Sequence, residues 1–246
     1  ITRNHTATHL LHKALRTVLG EHVQQKGSMV HPDYMRFDFA HIKALTEDEI
    51  REVELLVNWS IRENMQVSTT LKHIDEAKAE GAMALFGEKY AEEVRVVSIA
   101  NYSLELCGGT HAGATGDLGI FKIVSEASVA AGIRRIEAYT GRAALEYVNS
   151  LQQELNSIAT ILNCPQNMIL QKLESQKSQI TLLEDRIKVL QDQQNFAMID
   201  TMLESVNSYD DYQLLVRDLP EGTDLKAFSE LMKEKLTRQI AVLLCP

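Results

Sequence analysis

Two pairs of candidate metal ligands, far apart in the sequence, place the strongest constraint on how this chain folds. His5 and His9 lie in the segment NHTATHLL, and Cys107 and His111 lie in ELCGGTH. The first pair sits in a stretch whose apolar residues recur at helical spacing, so the two imidazoles are expected to share one helix face. The second pair spans two glycines, which suit a tight turn that brings a thiolate and an imidazole together. If one ion binds both pairs, the fold must bring these distant segments into contact.

The chemistry of the two pairs together predicts a zinc site. Zinc readily takes imidazole nitrogens and thiolate sulfurs in a tetrahedral arrangement. Either pair alone is weak evidence, because two histidines four residues apart on a helix more often belong to the surface or the core. Cys107 could instead be a nucleophile with His111 as its base. A thiol shared with three imidazoles is better explained as a metal ligand.

The length and composition predict an ordinary protein with more than one unit. The chain has 246 residues, of which 45% are hydrophobic. Its apolar runs fall short of the about 20 residues that cross a bilayer, and it does not open with a secretory leader. We therefore expect a cytoplasmic location and no membrane partner. Three cysteines (Cys107, Cys164 and Cys245) give no disulfide framework. The chain lacks a first methionine and ends in the strand-like run IAVLLCP, so we expect it to be part of a longer protein.

The overall charge argues against a general nucleic-acid binder. The formal net charge is −9, whereas contacts to phosphates favour a basic surface. Any such role must fall to local clusters of basic residues around the metal site. Taken singly, each candidate is better explained as solubilising charge. The candidates are Lys13, Arg16, Lys26, Arg36, Arg134 and Arg135.

The pattern of elements predicts an α+β domain over residues 1–141. A helix is expected over residues 5–19 and ends at Gly20, and Thr46 with Glu49 forms a capping-box pattern that starts a second helix. A short helix is expected from Asp75 to Ala84. The predicted strands are Val23–Val30, Met35–Phe39, Val67–Leu71, Val94–Ile99, Tyr102–Leu106, Ile120–Glu126 and Ile133–Tyr139.

Residues 142–207 are rich in leucine, glutamine, glutamate and lysine, and they predict helices. One apolar stripe ends at Pro165, which suits the first turn of another helix. The second helix has the 3 and 4 spacing of a coiled coil, so the segment is either a helical hairpin or a dimer seam. Residues 208–246 predict a β-α-β unit that is too small to be a complete domain, with strands Leu214–Arg217 and Ile240–Leu244 around the helix Leu225–Leu236.

Two segments near the predicted metal carry further polar residues. His12 and Arg16 continue the helix face of His5 and His9. His12 could support a ligand, orient a water or meet a phosphate, or it could be a solvated helix residue. The run of residues 24–28, QQKGS, places an amide, an ammonium and a hydroxyl beside a glycine, which in a strand often marks a bulge. The chain has no Gly-x-Ser-x-Gly elbow, P-loop or dinucleotide-binding glycine motif.

Several of these segments closely resemble the editing domain of alanyl-tRNA synthetases. The runs are RNHTATHLLHKALRTVLGEHVQQKGS, RFDF, LELCGGTH, TGDLGIFKIVSE and GIRRIEAYTG, and the resemblance covers residues 1–141. The helical stretch and the segment RDLPEGTDLKAF resemble the linker and the beginning of the C-terminal domain of the same enzymes. Threonyl-tRNA synthetases carry a related domain, but CGGTH and QKGS resemble the alanyl branch. The resemblance implies the mixed α/β fold of the threonyl/alanyl editing domains.

The resemblance also implies an activity, a cofactor and a partner. The expected reaction is hydrolysis of tRNA(Ala) wrongly charged with serine or glycine. Zn²⁺ held by the four ligands would anchor the aminoacylated 3′ end and help to position the attacking water. Gln25 and His12 are the expected catalytic residues. The residues expected to contact substrate or tRNA are Arg16, Lys26, Arg36, Gly108, Gly109, Thr110, Arg134 and Arg135.

An alternative function stays open at this point. Four protein ligands would close the shell of a zinc ion in the manner of a structural site. The chain could then be a zinc-stabilised tRNA-binding module without catalysis of its own, and residues 142–207 could join two copies as a homodimer. Aminoacylation is not expected of these residues, because they contain no ATP-binding signature.

Overall fold

The computed structural model describes residues 1–84, 90–204, 207–209, 212–220, 223–235 and 239–244. The chain divides into two compact units, Ile1–Leu155 and Asn156–Pro246. In chain order, the elements of the first unit are α1 (Thr2–Leu19), β1 (Gln25–Val30), β2 (Met35–Ala40), α2 (Glu47–Arg62), β3 (Val67–His73), α3 (Ile74–Ala79), β4 (Glu93–Ile99), β5 (Ser103–Leu106), β6 (Phe121–Ala130), β7 (Ile133–Thr140) and the first part of α4 (Gly141–Ile161). The predicted α+β class is confirmed.

Helix α1 is the centre of the first unit's core. Its apolar residues Leu10, Leu11 and Leu15 are fully buried, as the helical spacing predicts. The helix starts at Thr2, a little before the predicted residue 5, and ends before Gly20, whose φ of 112° lies outside the range that other residues readily adopt. The buried side of α1 fixes where His5 and His9 point relative to the sheets.

A four-stranded antiparallel sheet covers one side of the core. Its strand order is β1-β2-β7-β6. In β2, Met35, Phe37 and Phe39 are fully buried while Arg36 and Asp38 lie on the opposite face. This is the predicted alternation of a half-buried strand. The register of β1 shifts between Gln25 and Gly27, so the glycine of QQKGS does mark a bulge.

A three-stranded antiparallel sheet, ordered β3-β4-β5, completes the strands of this unit. Strand β5 ends at Leu106, so Cys107 is the first residue of the loop that follows. Helix α3 is shorter than the predicted Asp75–Ala84, because Gly81 with φ of 88° takes the chain out of helical conformation after Ala79 and its cap Glu80.

The capping box predicted at Thr46 starts helix α2. The Thr46 hydroxyl accepts a hydrogen bond from the Glu49 amide at 3.2 Å, and the Glu49 carboxylate accepts one from the Thr46 amide at 2.7 Å. These bonds satisfy two backbone donors that the first turn of a helix otherwise leaves free. Val53 and Val57 on the same helix are fully buried against the core.

The second unit combines helices with a small sheet. Helix α4 continues into this unit and ends at Ile161, and α5 (Ile169–Leu203) follows. Strand β8 (Asn207–Tyr209) pairs antiparallel with β9 (Tyr212–Asp218), which pairs parallel with β10 (Gln239–Leu244) across helix α6 (Leu225–Lys235). The core here consists of Ile199, Leu215, Leu219, Phe228 and Met232.

The small sheet confirms the predicted β-α-β connection. Leu236, the predicted end of its helix, and Cys245 lie outside the described residues. The predicted domain boundaries at residues 141 and 207 stay a prediction. Within the described ranges, none of the helices is long and apolar enough to cross a membrane.

Candidate metal centre and adjoining cavity

The four predicted ligands converge in the first unit. His5 and His9 lie one turn apart on α1, and the loop after β5 brings Cys107 and His111 against them. The ligand atoms of the four side chains all lie within 4.8 Å of one another, and Cys107 Sγ is 3.3 Å from His5 Nε2. Three nitrogens and one sulfur at this separation can hold a metal ion. The fold therefore brings the two pairs, which are distant in the sequence, into one cluster.

Gly109 permits the loop to approach helix α1. A Cβ atom at this position would lie 1.9 Å from His5 Cε1 and 2.4 Å from His5 Nδ1. No side chain fits in that space unless His5 moves. A Cβ atom at the neighbouring Gly108 would have no atom within 4 Å. Of the two glycines in CGGTH, only Gly109 must therefore lack a side chain to avoid a clash.

The surroundings of Cys107 favour the thiolate form. Burial raises the pKa of the thiol, but close contacts with the imidazoles of His111, His5 and His9 outweigh burial and lower the pKa to about 3. The thiolate is the form of cysteine that binds metals. Burial lowers the pKa of His111 from its ordinary value of 6.5, which favours the neutral imidazole that a metal ion requires.

Glu105 is a buried member of the site that sequence reasoning missed. Its carboxylate lies 2.9 Å from His9 Nδ1 and 3.5 Å from His12 Nδ1, and it accepts a hydrogen bond from the Ser103 hydroxyl at 2.9 Å. Burial raises the pKa of Glu105, but the charge of His9 and the contacts with His9 and His12 hold that pKa well below its usual range. Glu105 lies on β5 two residues before Cys107, and in an extended chain this spacing places two side chains on the same side, which is the available sequence signal.

The same contact acts on His9. Burial lowers the pKa of His9, but the charge of Glu105, with help from Cys107, outweighs burial and raises the pKa to about 10. Without a cation the ring is therefore protonated. Because Glu105 occupies Nδ1, a bound cation would displace the proton from Nε2, the nitrogen that remains.

Thr6 is the second residue that the sequence did not point to. It is fully buried, and its hydroxyl donates to the Thr2 carbonyl at 3.0 Å. The same oxygen accepts from the Ala112 amide at 3.0 Å and lies 3.3 Å from His111 Nδ1. The other nitrogen of that ring, His111 Nε2, is buried and has no hydrogen-bond partner within the described ranges.

A cavity of about 280 Å³ lies beside the cluster. Its lining brings together three of the predicted site residues, His12, Arg16 and Gln25. His12 is 5% exposed, and neither of its ring nitrogens has a hydrogen-bond partner among the described residues. The interpretation of His12 as a solvated helix residue is therefore wrong. The other lining residues are Gln24, Met83, Ala84, Glu105 and Leu106.

Some polar groups of the cavity wall already form hydrogen bonds within the protein. Arg16 donates to the carbonyls of Glu21 and Val23 at 3.0 and 3.1 Å, so it also fixes the turn after α1. The Gln25 amide donates to the Ser28 hydroxyl at 3.2 Å. Its carbonyl oxygen keeps the capacity to accept a hydrogen bond.

The remaining predicted contact residues lie at other places on the first unit. Arg135 makes a bidentate ion pair with Asp38 at 2.7 and 2.8 Å, and Arg134 makes one with Glu126. Arg36 donates to Met29 Sδ at 2.9 Å. Three of the predicted contact residues are exposed: Lys26 on β1, and Gly108 and Thr110 in the loop after β5.

Comparison with known proteins agrees with the resemblance seen in the motifs. Residues 94–137 match the family described as "Threonyl and Alanyl tRNA synthetase second additional domain". An alanine–tRNA ligase of Pseudoalteromonas translucida is 48% identical over 234 residues, 95% of this chain and 27% of that protein. An alanine–tRNA ligase of Shewanella loihica is 46% identical over 243 residues, 98% of this chain and 28% of that protein.

The predicted resemblance to alanyl-tRNA synthetases is thereby confirmed over nearly the whole chain. The chain spans only 27–28% of the length of these two relatives. The similarity therefore extends over nearly all of both units.

Proposed function

We propose that this chain removes serine and glycine from tRNA(Ala) charged with the wrong amino acid, as the editing part of an alanyl-tRNA synthetase. The observation that carries the proposal is the four-ligand cluster beside a cavity lined by both polar and apolar side chains, in a chain 46–48% identical to alanine–tRNA ligases. In the reaction, water adds to the ester carbonyl. The amino acid leaves with a free carboxyl group, and the 3′-terminal ribose recovers its hydroxyl.

We assign zinc to the cluster. In a tetrahedral zinc site, sulfur lies about 2.3 Å and nitrogen about 2.0 to 2.1 Å from the ion, which places neighbouring ligand atoms roughly 3.3 to 3.6 Å apart. The 3.3 Å between Cys107 Sγ and His5 Nε2 fits this spacing, and His111 Nε2 is a buried nitrogen in need of a partner. When bound, zinc would supply a positive charge that attracts an electron-rich group of the aminoacylated 3′ end through space.

Orientation of the water falls to side chains of the cavity, since four protein ligands leave no open position in a tetrahedral shell. The carbonyl oxygen of Gln25 can accept a hydrogen bond from the attacking water. His12, whose Nδ1 faces Glu105 and whose Nε2 has no hydrogen-bond partner among the described residues, can take or return a proton there through Nε2. The apolar side chains of Met83 and Leu106 limit the space beside these polar groups.

Selective hydrolysis is expected because binding alone discriminates weakly between alanine, glycine and serine. An aminoacylation site that accepts alanine cannot strongly reject glycine or serine, since such small differences in side-chain structure change the binding free energy by only about 1 to 3 kcal/mol. A second site with polar groups can pair with a serine hydroxyl, whereas a bound alanyl ester would leave those groups buried without partners. The polar lining of the cavity supports this kind of selection for serine.

The tRNA backbone is proposed to meet basic residues of the first unit. Lys26 is exposed and follows Gln25 in the bulge of β1, so it lies next to the cavity wall. Arg16, Arg36, Arg134 and Arg135 are the further proposed contacts, with Gly108, Gly109 and Thr110 beside the ligands. Because Arg134 and Arg135 pair with carboxylates, a phosphate would have to exchange with those pairs or extend them.

A second candidate function rests on the closed ligand shell. A tetrahedral ion with four protein ligands is typical of structural zinc. The chain would then be a zinc-stabilised tRNA-binding and oligomerisation module without independent catalysis. Under either function, we propose that the chain has three domains, with bounds 1–141, 142–207 and 208–246. We also propose a cytoplasmic location.

Replacement of one ligand separates the two functions. We expect Cys107→Ala to keep the circular-dichroism spectrum of the folded chain while it loses hydrolysis of seryl-tRNA(Ala). Cys164→Ala is the matched control, because Cys164 lies in the second unit and should leave the activity unchanged. An unfolded Cys107→Ala chain would favour the structural module, and an active one would refute the proposed site.

A further inference from the structure

The two segments of the metal centre support each other's histidines. Helix α1 supplies the ligand His9, and the residue against the far side of that ring is Glu105 from strand β5, at 2.9 Å from Nδ1. The loop after β5 supplies the ligand His111, and the residue against the far side of its ring is Thr6 from helix α1, at 3.3 Å from Nδ1. Each segment therefore holds a ligand that belongs to the other.

The hydrogen bonds of Thr6 determine the direction of its contact with His111. A hydroxyl has one proton and two lone pairs. The proton is directed to the Thr2 carbonyl, which can only accept, and one lone pair receives the Ala112 amide. The oxygen is then left to accept from His111, which requires a proton on Nδ1. The lone pair of that imidazole is consequently on Nε2, the buried nitrogen for which the described residues provide no hydrogen-bond partner.

Glu105 has the same effect on His9. A carboxylate accepts hydrogen bonds, so it stabilises a proton on His9 Nδ1 and leaves Nε2 for the cluster. The Ser103 hydroxyl donates to Oε1 at 2.9 Å while Oε2 faces His9, so the carboxylate is held in place. Glu105 is 5% exposed, and water therefore competes little for these contacts.

We propose that Thr6 and Glu105 are positioning residues that fix the Nδ1–H tautomers of His111 and His9 and so direct both Nε2 atoms at one divalent cation. This inference rests on the metal centre of the proposed function. Neither residue binds the ion. Partners of this kind change the affinity of a metal site by about 10- to 100-fold when they are removed.

The affinity of the 246-residue chain for Zn²⁺ tests the proposal, measured by competition with a chromophoric chelator. Thr6→Val, which removes the hydroxyl, and Glu105→Gln, which removes the charge, should each weaken binding by about 10- to 100-fold. Thr6→Ser keeps the hydroxyl and should bind within a few-fold of the unchanged chain. If Thr6→Val does not fold without metal, Thr6→Ala takes its place, because alanine cannot overpack the buried position.

Two control variants separate positioning from general loss of stability. Thr17 on the same helix also donates its hydroxyl to the carbonyl four residues earlier, at 2.9 Å, so Thr17→Val repeats the change away from the cluster. Glu126 is a buried carboxylate paired with Arg134, so Glu126→Gln repeats the loss of a buried charge. Both controls should bind Zn²⁺ as tightly as the unchanged chain.

The outcomes distinguish the proposal from its premise. If the unchanged chain fails to bind Zn²⁺, the metal centre and the positioning roles both fall. If it binds but Thr6→Val and Glu105→Gln bind equally well, only the positioning roles are overturned. Long-range ¹H–¹⁵N spectra of the histidine rings in the zinc-loaded chain give a direct second readout. They should show a proton on Nδ1 of His9 and His111, and coordination through Nδ1 would contradict the proposal.

Discussion

The two glycines between Cys107 and His111 differ in what they do, although they are adjacent and identical in type. Gly109 faces His5 so closely that a Cβ would fall 1.9 Å from the ring, whereas a Cβ on Gly108 would meet nothing within 4 Å. Neither glycine adopts a positive φ. The requirement at residue 109 is therefore contact with a ligand and not backbone conformation.

This contrast predicts different effects of the same substitution. Gly109→Ala should displace His5 from the cluster and weaken Zn²⁺ binding at least about 10-fold, which is the scale seen when the support of a metal ligand is lost. Gly108→Ala should bind Zn²⁺ like the unchanged chain. Chelator competition on both variants measures this. Equal affinities for the two variants would show that His5 is free to move away or is not a ligand.

At the level of residues, the metal ligands could be identified from the sequence, whereas the residues that orient those ligands could not. His5, His9, Cys107 and His111 stand out because their types and local spacing are those of a metal site. Glu105 and Thr6 carry no such pattern, and their roles exist only because β5 and α1 meet in space. His12 was visible on the helix face, but its burial depends on strands that no local pattern places against it.

The N-terminus of α2 is an element whose stability depends on local bonds. The Glu49 carboxylate accepts from the Thr46 backbone and side chain, and these bonds lower its pKa. A lowered pKa means that this contribution is present above the ordinary pKa of glutamate and is lost as the pH falls through the folded value. The capping box should therefore weaken in acid.

Removal of the cap tests this element. Thr46→Ala should reduce the free energy of unfolding by about 1 kcal/mol at pH 7, and by less at an acidic pH below the folded-state pKa of Glu49, where the carboxylate is protonated. Thr46→Ser keeps the hydroxyl and should unfold like the unchanged chain. Chemical denaturation at both pH values gives the comparison. A cost that is the same at both pH values would show that Glu49 takes no part.

Most elements followed from the sequence because their signals are local. The capping box placed the start of α2, and the alternation in RFDF placed β2 and its buried face. The end of α3 was predicted too late because the pattern of apolar residues continues past Gly81, where the backbone already turns. The strand orders β1-β2-β7-β6 and β3-β4-β5 depend on contacts between distant segments, which local patterns do not specify.

At the scale of the whole molecule, the metal centre joins two distant segments of the first unit. Helix α1 and the loop after β5 contact one another through the ligands, so an ion bound there should stabilise the folded state over the unfolded one. At a free concentration 100 times its dissociation constant, a ligand adds about 2.7 kcal/mol.

This linkage predicts how the melting temperature responds to metal. Zn²⁺ should raise the melting temperature of the first thermal transition by several degrees, and EDTA should reverse the increase. Gly108→Ala should show the same increase, whereas Gly109→Ala should show little or none. Differential scanning calorimetry provides the measurement. An equal increase in both variants would mean that Zn²⁺ acts elsewhere.

Helix α5 leaves the predicted seam of its coiled-coil pattern open to solvent. Leu173, Ile180, Leu183, Ile187 and Leu190 are 45–56% exposed. If this seam joins two copies, sedimentation equilibrium should show a dimer that dissociates on dilution, and Leu183→Lys should shift the chain to monomer. A strictly monomeric chain at all concentrations would leave only the helical hairpin.

Selective hydrolysis of the seryl ester is the central property proposed for this chain, and one measurement tests it directly. The zinc-loaded chain is mixed with seryl-tRNA(Ala) and alanyl-tRNA(Ala), side by side, and the release of each amino acid is followed over time. We predict that serine is released well above the rate in buffer alone while the alanyl ester is spared. Equal rates for the two esters, or no release of serine, would contradict the account.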